Sequence, residues 1–223
     1  EGLHLDYETA QTRQVPRRSG WYNLNTHIPW IGDRTRQLDG AHIEYFRGIE
    51  NPIGMKVGPT MEPDELLELI DVLNPKNSPG RLVLIHRFGA DKIAEHLPQL
   101  LRIVHDNKRH VVWSCDPMHG NTRVTESGIK TRSFDQILNE LKQAFEIHCQ
   151  EHTILGGVHV ELTGEQVTEC TGGARGLTDE DLNLAYLSDV DPRLNYEQAM
   201  EMALSIARFL KGRRDENNGC GGD

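Results

Sequence analysis

From residue 50 onward the chain alternates short β-branched runs with amphipathic segments, and that rhythm limits the folds open to it. The runs occupy 52–58, 81–87, 110–115 and 157–162. Helical spacing places Leu66, Leu67, Ile70 and Leu73 on one face of a helix over 63–73, and Leu97, Leu100, Leu101 and Val104 on another over 90–107. Further helices are expected over 134–150 and 196–211. Strand–helix alternation of this kind implies a parallel sheet with helices packed outside it. The first 50 residues are less periodic. They suggest the end of a helix over 7–13 and a fifth strand over 21–31, which Pro29 brings to a loop or edge. Five strands fall short of the eight in a closed β/α barrel. On pattern alone three arrangements stay open: part of a larger barrel, a barrel closed by another chain, or a smaller doubly wound fold. The fold unit is expected to span 1–214, followed by a flexible polar, glycine-rich tail over 215–223.

Composition excludes several classes. With 24 Lys and Arg against 34 Asp and Glu, the net charge is −10, which argues against a nucleic-acid-binding role because such domains carry a basic face. A local cationic pocket is still allowed, since steering follows the local field. No apolar run approaches the roughly 20 residues needed to cross a bilayer. The first residues lack the basic start and apolar core of a signal peptide, so a cytoplasmic location is expected, or a plastid in a plant. Cys115, Cys149, Cys170 and Cys220 have no CxxC spacing, so neither a zinc ribbon nor a disulfide framework is indicated.

Candidate chemistry collects at strand ends. On an extended 157–162 segment His159 and Glu161 share a face, with Val158 and Val160 on the other. If the valines meet the helices, Glu161 faces inward, and an inward carboxylate requires a cation or several donors. A satisfied interior histidine is the simplest reading of His159. His119 follows its strand on a loop shaped by Pro117 and Gly120, where Asp116 and Asn121 are suited to orient an imidazole. Asp191 precedes Pro192, but Asn195 is the better cap for the helix at Tyr196, which releases Asp191 for ligation. His119, Glu161 and Asp191 together suit a hard or borderline divalent metal. Lys56, inside an apolar strand, and Arg87, ending the next, suggest a bound anion, which arginine grips through two parallel hydrogen bonds. Gly172, Gly173 and Arg175 are expected in a mobile cover after the last strand.

Several ordered motifs strengthen this reading: residues 30–42 (WIGDRTRQLDGAH), 51–59 (NPIGMKVGP), 116–122 (DPMHGNT), 156–164 (GGVHVELTG), 167–170 (VTEC) and 191–195 (DPRLN). Across nearly the whole chain the set resembles type II (plant-like) 3-deoxy-D-arabino-heptulosonate 7-phosphate (DAHP) synthase. The resemblance implies an α/β fold, a (β/α)8 TIM barrel of which this chain supplies about the last five β/α units. It implies condensation of phosphoenolpyruvate with erythrose 4-phosphate, the first step of the shikimate pathway, with Mn2+ or Co2+ as the divalent metal. By position, His119, Glu161 and Asp191 match three of the family's four metal ligands. The fourth is a cysteine on the first barrel strand, a part of the pattern with no counterpart in these residues. Arg34, Lys56 and Arg87 match the cations that bind phosphoenolpyruvate, Asp33 and Arg193 join the substrate-binding set, and Lys130 and His119 match catalytic positions. A homo-oligomer or a complementing N-terminal segment is expected to complete the barrel.

Asp33 stands where the family has glutamate, Val190 where it commonly has cysteine, and 25–29 departs from the usual Ser-Ala-His pattern. Two alternatives stand beside this reading: a truncated or diverged homologue that binds a phosphorylated metabolite or a partner protein without catalysis, and a secondary-metabolism synthase acting on a related sugar, which the substitutions at Asp33 and Val190 fit.

Overall fold

The computed structural model describes residues 1–219, with side chains described through Lys211. The strands are β1 (Thr12–Arg13), β2 (Tyr22–Asn23), β3 (Trp30–Ile31), β4 (Ile53–Val57), β5 (Leu82–His86), β6 (Val112–Cys115), β7 (Thr122–Val124), β8 (Lys130–Arg132) and β9 (Leu155–Val158). The α-helices are α1 (Leu5–Ala10), α2 (Ala41–Arg47), α3 (Pro63–Leu73), α4 (Ile93–Asp106), α5 (Phe134–Gln150) and α6 (Tyr196–Gly219). Strands β3, β4, β5, β6 and β9 pair in that order, all parallel, to form a five-stranded sheet. The expected parallel α/β arrangement is therefore present.

Side-chain alternation gives the sheet two unlike faces. Ile53, Met55, Val57, Leu82, Leu84, Trp113 and Cys115 are buried on the helix-covered side. Leu66, Leu69, Ile70 and Leu73 of α3 and Leu97, Leu100, Leu101 and Val104 of α4 join them in one core. In α3 Leu69 joins Leu66 and Ile70 as fully buried, whereas the expected Leu67 is half-buried. Each wholly buried leucine contributes about 1.5–3 kcal/mol relative to exposure, so this layer is the main source of stability. The opposite face presents Lys56 and Ser114, and just past the strand ends Arg87 and Asp116.

Three expectations are corrected. The 21–31 segment is not one strand. It breaks into β2, which pairs antiparallel with β1, and β3, which joins the main sheet. Asn23 causes the break: its amide is buried against Glu8 and Tyr45, and its Oδ1 accepts the Asn25 N–H, turning the chain. The last strand starts earlier and ends at Val158, because after the His159 N–H donates to the Cys115 carbonyl (2.8 Å) β6 turns away at Asp116. Leu162 then forms a parallel bridge with Leu194, which brings the Asp191 segment alongside Glu161. Finally, α6 continues to Gly219, past the expected end of the helix, and the rest of the expected tail, 220–223, lies outside the described residues.

Candidate active site

A cleft of about 620 Å³ opens at the carboxyl ends of the strands, on the face away from α3 and α4. His119, Glu161 and Asp191 converge there, their ligand atoms all within 4.8 Å of one another. His119 Nε2 lies 3.5 Å from a Glu161 oxygen and 3.4 Å from an Asp191 oxygen. Its Nδ1 sits 2.7 Å from Oδ2 of Asp116, so with the proton on Nδ1 the other nitrogen faces the two carboxylates. That is the tautomer a metal ligand needs.

Asp116 has no solvent exposure, yet every contact it makes favours its charge. Lys56 Nζ ion-pairs with Oδ2, and Oδ1 accepts the N–H groups of Met118 (3.0 Å) and His119 (3.2 Å). Burial alone would raise this carboxyl. The His119 hydrogen bond and the Lys56 charge outweigh burial and hold it well below the usual carboxylate range. Burial likewise opposes charge on His119, but the bonds to Asp116 and Glu161 lift it to about 9. Glu161, despite burial, is held at about 2 by His119 and Arg132. A protonated imidazole facing two carboxylates is a cation site already balanced by charge, and a dication there would displace that proton.

The loops that carry the ligands are themselves anchored. Glu169, almost fully buried, accepts the N–H groups of Leu187 (2.9 Å), Ser188 (2.8 Å) and Arg193 (2.7 Å), fixing the turn that presents Asp191. Asn195 caps α6 as expected, with its Oδ1 accepting the Gln198 N–H (2.9 Å). The hairpin of β7 and β8 was not anticipated from sequence, and it supplies two further side chains. Lys130 reaches the rim and ion-pairs with Asp191. Arg132, with no exposure, pairs with Glu161, lies 3.7 Å from Asp191 and donates to the Pro192 carbonyl.

Arg34, Lys56 and Arg87 line the same cleft. Arg87 donates to Asp33 Oδ2 (3.1 Å) and to the His119 carbonyl (3.1 Å), so Asp33 orients this arginine. Arg36 is committed to Asp33, Glu65 and Thr60, leaving the exposed Arg34 as the cation of the motif that faces the cleft. His159 also lines the cleft. Its ring meets Trp30 edge-on at 5.0 Å, and burial together with the Lys56 charge pushes it down to about 4, a neutral imidazole.

Arg193 and the 172–175 loop lie elsewhere than expected. Arg193 is exposed and is not among the residues lining the cleft; only its backbone N–H takes part, through Glu169. The 172–175 loop is pinned to α6 instead of covering the cleft: Gln198 Nε2 donates to the Gly172 carbonyl, and Arg175 lies 3.9 Å from Glu197.

The fold is thus a parallel α/β sheet with a His-Glu-Asp cluster and three cationic side chains, Arg34, Lys56 and Arg87, lining one cleft at its carboxyl end. The sequence model of the class-II DAHP synthetase family matches residues 1–207, and the chain belongs to that family. The phospho-2-dehydro-3-deoxyheptonate aldolase of Neurospora crassa is 48% identical over 232 residues, covering 97% of this chain and 48% of that protein. The phospho-2-dehydro-3-deoxyheptonate aldolase AroG of Mycolicibacterium smegmatis is 45% identical over 216 residues, covering 95% of this chain and 47% of that protein. The chain thus spans about half the length of the curated relatives it matches. No helix among the described residues is long and apolar enough to cross a membrane.

Proposed function

We propose that this chain carries the metal and phosphoenolpyruvate sites of a DAHP synthase, which condenses phosphoenolpyruvate with erythrose 4-phosphate to give DAHP and phosphate, the entry step of aromatic amino acid biosynthesis. The reading rests on one observation above all: the His119, Glu161 and Asp191 ligand atoms meet in the cleft that Arg34, Lys56 and Arg87 also line. One imidazole and two carboxylates fit Mn2+ or Co2+. Such an ion, when bound, supplies Lewis acidity to a carbonyl oxygen.

The chain's own groups do the rest by placement. Phosphoenolpyruvate is a small polyanion, and Arg34, Lys56 and Arg87 neutralise and orient its phosphate and carboxylate. Asp33 fixes the Arg87 guanidinium plane. Asp116 holds His119 through one oxygen and Lys56 through the same oxygen, tying the metal side of the cleft to the anion side. Lys130 holds a proton at Nζ beside Asp191, placed to deliver it to an alkoxide forming near that carboxylate. A full barrel requires strands beyond these five, which a complementing N-terminal segment or another copy of the chain would supply.

The test is phosphoenolpyruvate consumption by the full protein, assayed with and without erythrose 4-phosphate and after chelation. We expect consumption that needs both the sugar phosphate and the metal, and that the His119→Ala variant lacks. Consumption unchanged in that variant would remove the assignment.

A further inference from the structure

Helix α5 carries a carboxylate where its apolar stripe calls for a hydrophobe. Glu140 lies on the inward face with Ile137 and Ala144 and has no solvent exposure. A buried carboxylate persists only where donors compensate it, and these donors come from two separate loops. Oε1 accepts the N–H groups of Phe88 (2.9 Å) and Gly89 (3.0 Å), the residues directly after Arg87. Oε2 accepts from Asn121 Nδ2 (2.7 Å), two residues beyond His119. Asn121 extends the brace: its Oδ1 accepts the Ala90 N–H (3.0 Å) and its Nδ2 also donates to the Pro117 carbonyl (2.8 Å). Where the loops touch they are backbone to backbone, since a Cβ on Gly120 would lie 2.3 Å from the Gly89 nitrogen.

We propose that Glu140 is a positioning residue that clamps the Arg87 loop against the His119 loop, fixing the spacing between the anion-binding guanidinium and the metal-ligating imidazole. The proposal rests on the roles given above to Arg87 and His119. Glu140 itself lies behind the sheet and touches neither substrate nor metal. Its effect reaches the cleft through backbone, where Arg87 Nη2 meets the His119 carbonyl at 3.1 Å.

The test uses Glu140→Gln in the full chain, which keeps the size but turns one acceptor into a donor facing the Asn121 amide. Hydrogen exchange at Phe88, Gly89 and Ala90 should quicken by roughly tenfold or more while amides in α3 and α4 keep their protection. Mn2+ affinity, read by electron paramagnetic resonance, should fall about tenfold or more. Adding Asn121→Asp restores a donor–acceptor pair and should return part of both losses. Asn121→Ala, which leaves α5 untouched, should reproduce both losses and serves if Glu140→Gln does not fold. Unchanged exchange at residues 88–90, or an equal rise along the whole chain, overturns the clamp. If Mn2+ affinity of the wild type is indifferent to Glu161→Gln, the metal reading fails instead, and exchange at 88–90 still decides the clamp.

Discussion

The Nδ1 of His119 and the Oδ2 of Asp116 lie 2.7 Å apart, and that same oxygen carries the ion pair with Lys56. One buried carboxylate therefore sets the imidazole tautomer and neutralises a buried ammonium. Asp116→Asn should weaken Mn2+ binding by about 10–100-fold, the usual cost of losing a partner behind a ligating histidine. It should also cost about 3–5 kcal/mol of stability, because Lys56 is left buried without its counterion. Calorimetric titration and denaturant unfolding measure the two effects separately.

Arg132 is the fully buried cation of the cluster and pairs with Glu161. Arg132→Leu should destabilise the metal-free protein by about 3–5 kcal/mol. Added Mn2+ should recover much of that loss, since a dication supplies the charge the guanidinium provided. Thermal melts with and without Mn2+ check this, and an equal penalty in both conditions would argue against a metal between Glu161 and Asp191.

Arg34 is exposed and, among the described residues, has no side-chain ion pair. Arg34→Ala should weaken phosphoenolpyruvate binding by about 10–100-fold, the value of one or two charge-assisted hydrogen bonds. Stability should stay within about 0.5 kcal/mol of wild type, as for other surface changes. Arg36→Ala should show the reverse pattern, because its guanidinium is committed to Asp33, Glu65 and Thr60.

His86 is wholly buried, and among the described residues neither ring nitrogen has a hydrogen-bond partner. Burial, helped by the His148 charge, pushes it down to about 3, against an ordinary value near 6.5. The unfolded chain then binds more protons than the folded one between those values, so stability falls as pH drops from 6.5 towards 3. His86→Leu should flatten this acid limb and raise stability at pH 7. Urea midpoints at pH 4 and pH 7 read out the difference.

The long elements were legible because their patterns are strong: β4, β5 and β6 are short, mostly apolar runs, and α4 carries Leu97, Leu100, Leu101 and Val104 on one stripe. The short ones were not. A two-residue strand such as β2 has no period, and it is placed by the buried amide of Asn23. Lys130 stood out only through the family resemblance and Arg132 not at all, since nothing local reveals that their hairpin brings them to Glu161 and Asp191. Glu169 gave no signal apart from its motif, because its partners are backbone groups far along the chain. Glu140 did leave a trace, a charge inside the apolar stripe of α5. Asn121 was expected to orient His119, but it serves Glu140 and Ala90 instead.

The most direct test of the central claim is a crystal of the protein soaked with Mn2+, with anomalous scattering recorded at the manganese edge. We predict one strong peak about 2.0–2.3 Å from His119 Nε2 and from carboxylate oxygens of Glu161 and Asp191. No peak there, or a peak confined to another group such as the buried His86, Cys115 and Glu140 cluster, would contradict the account.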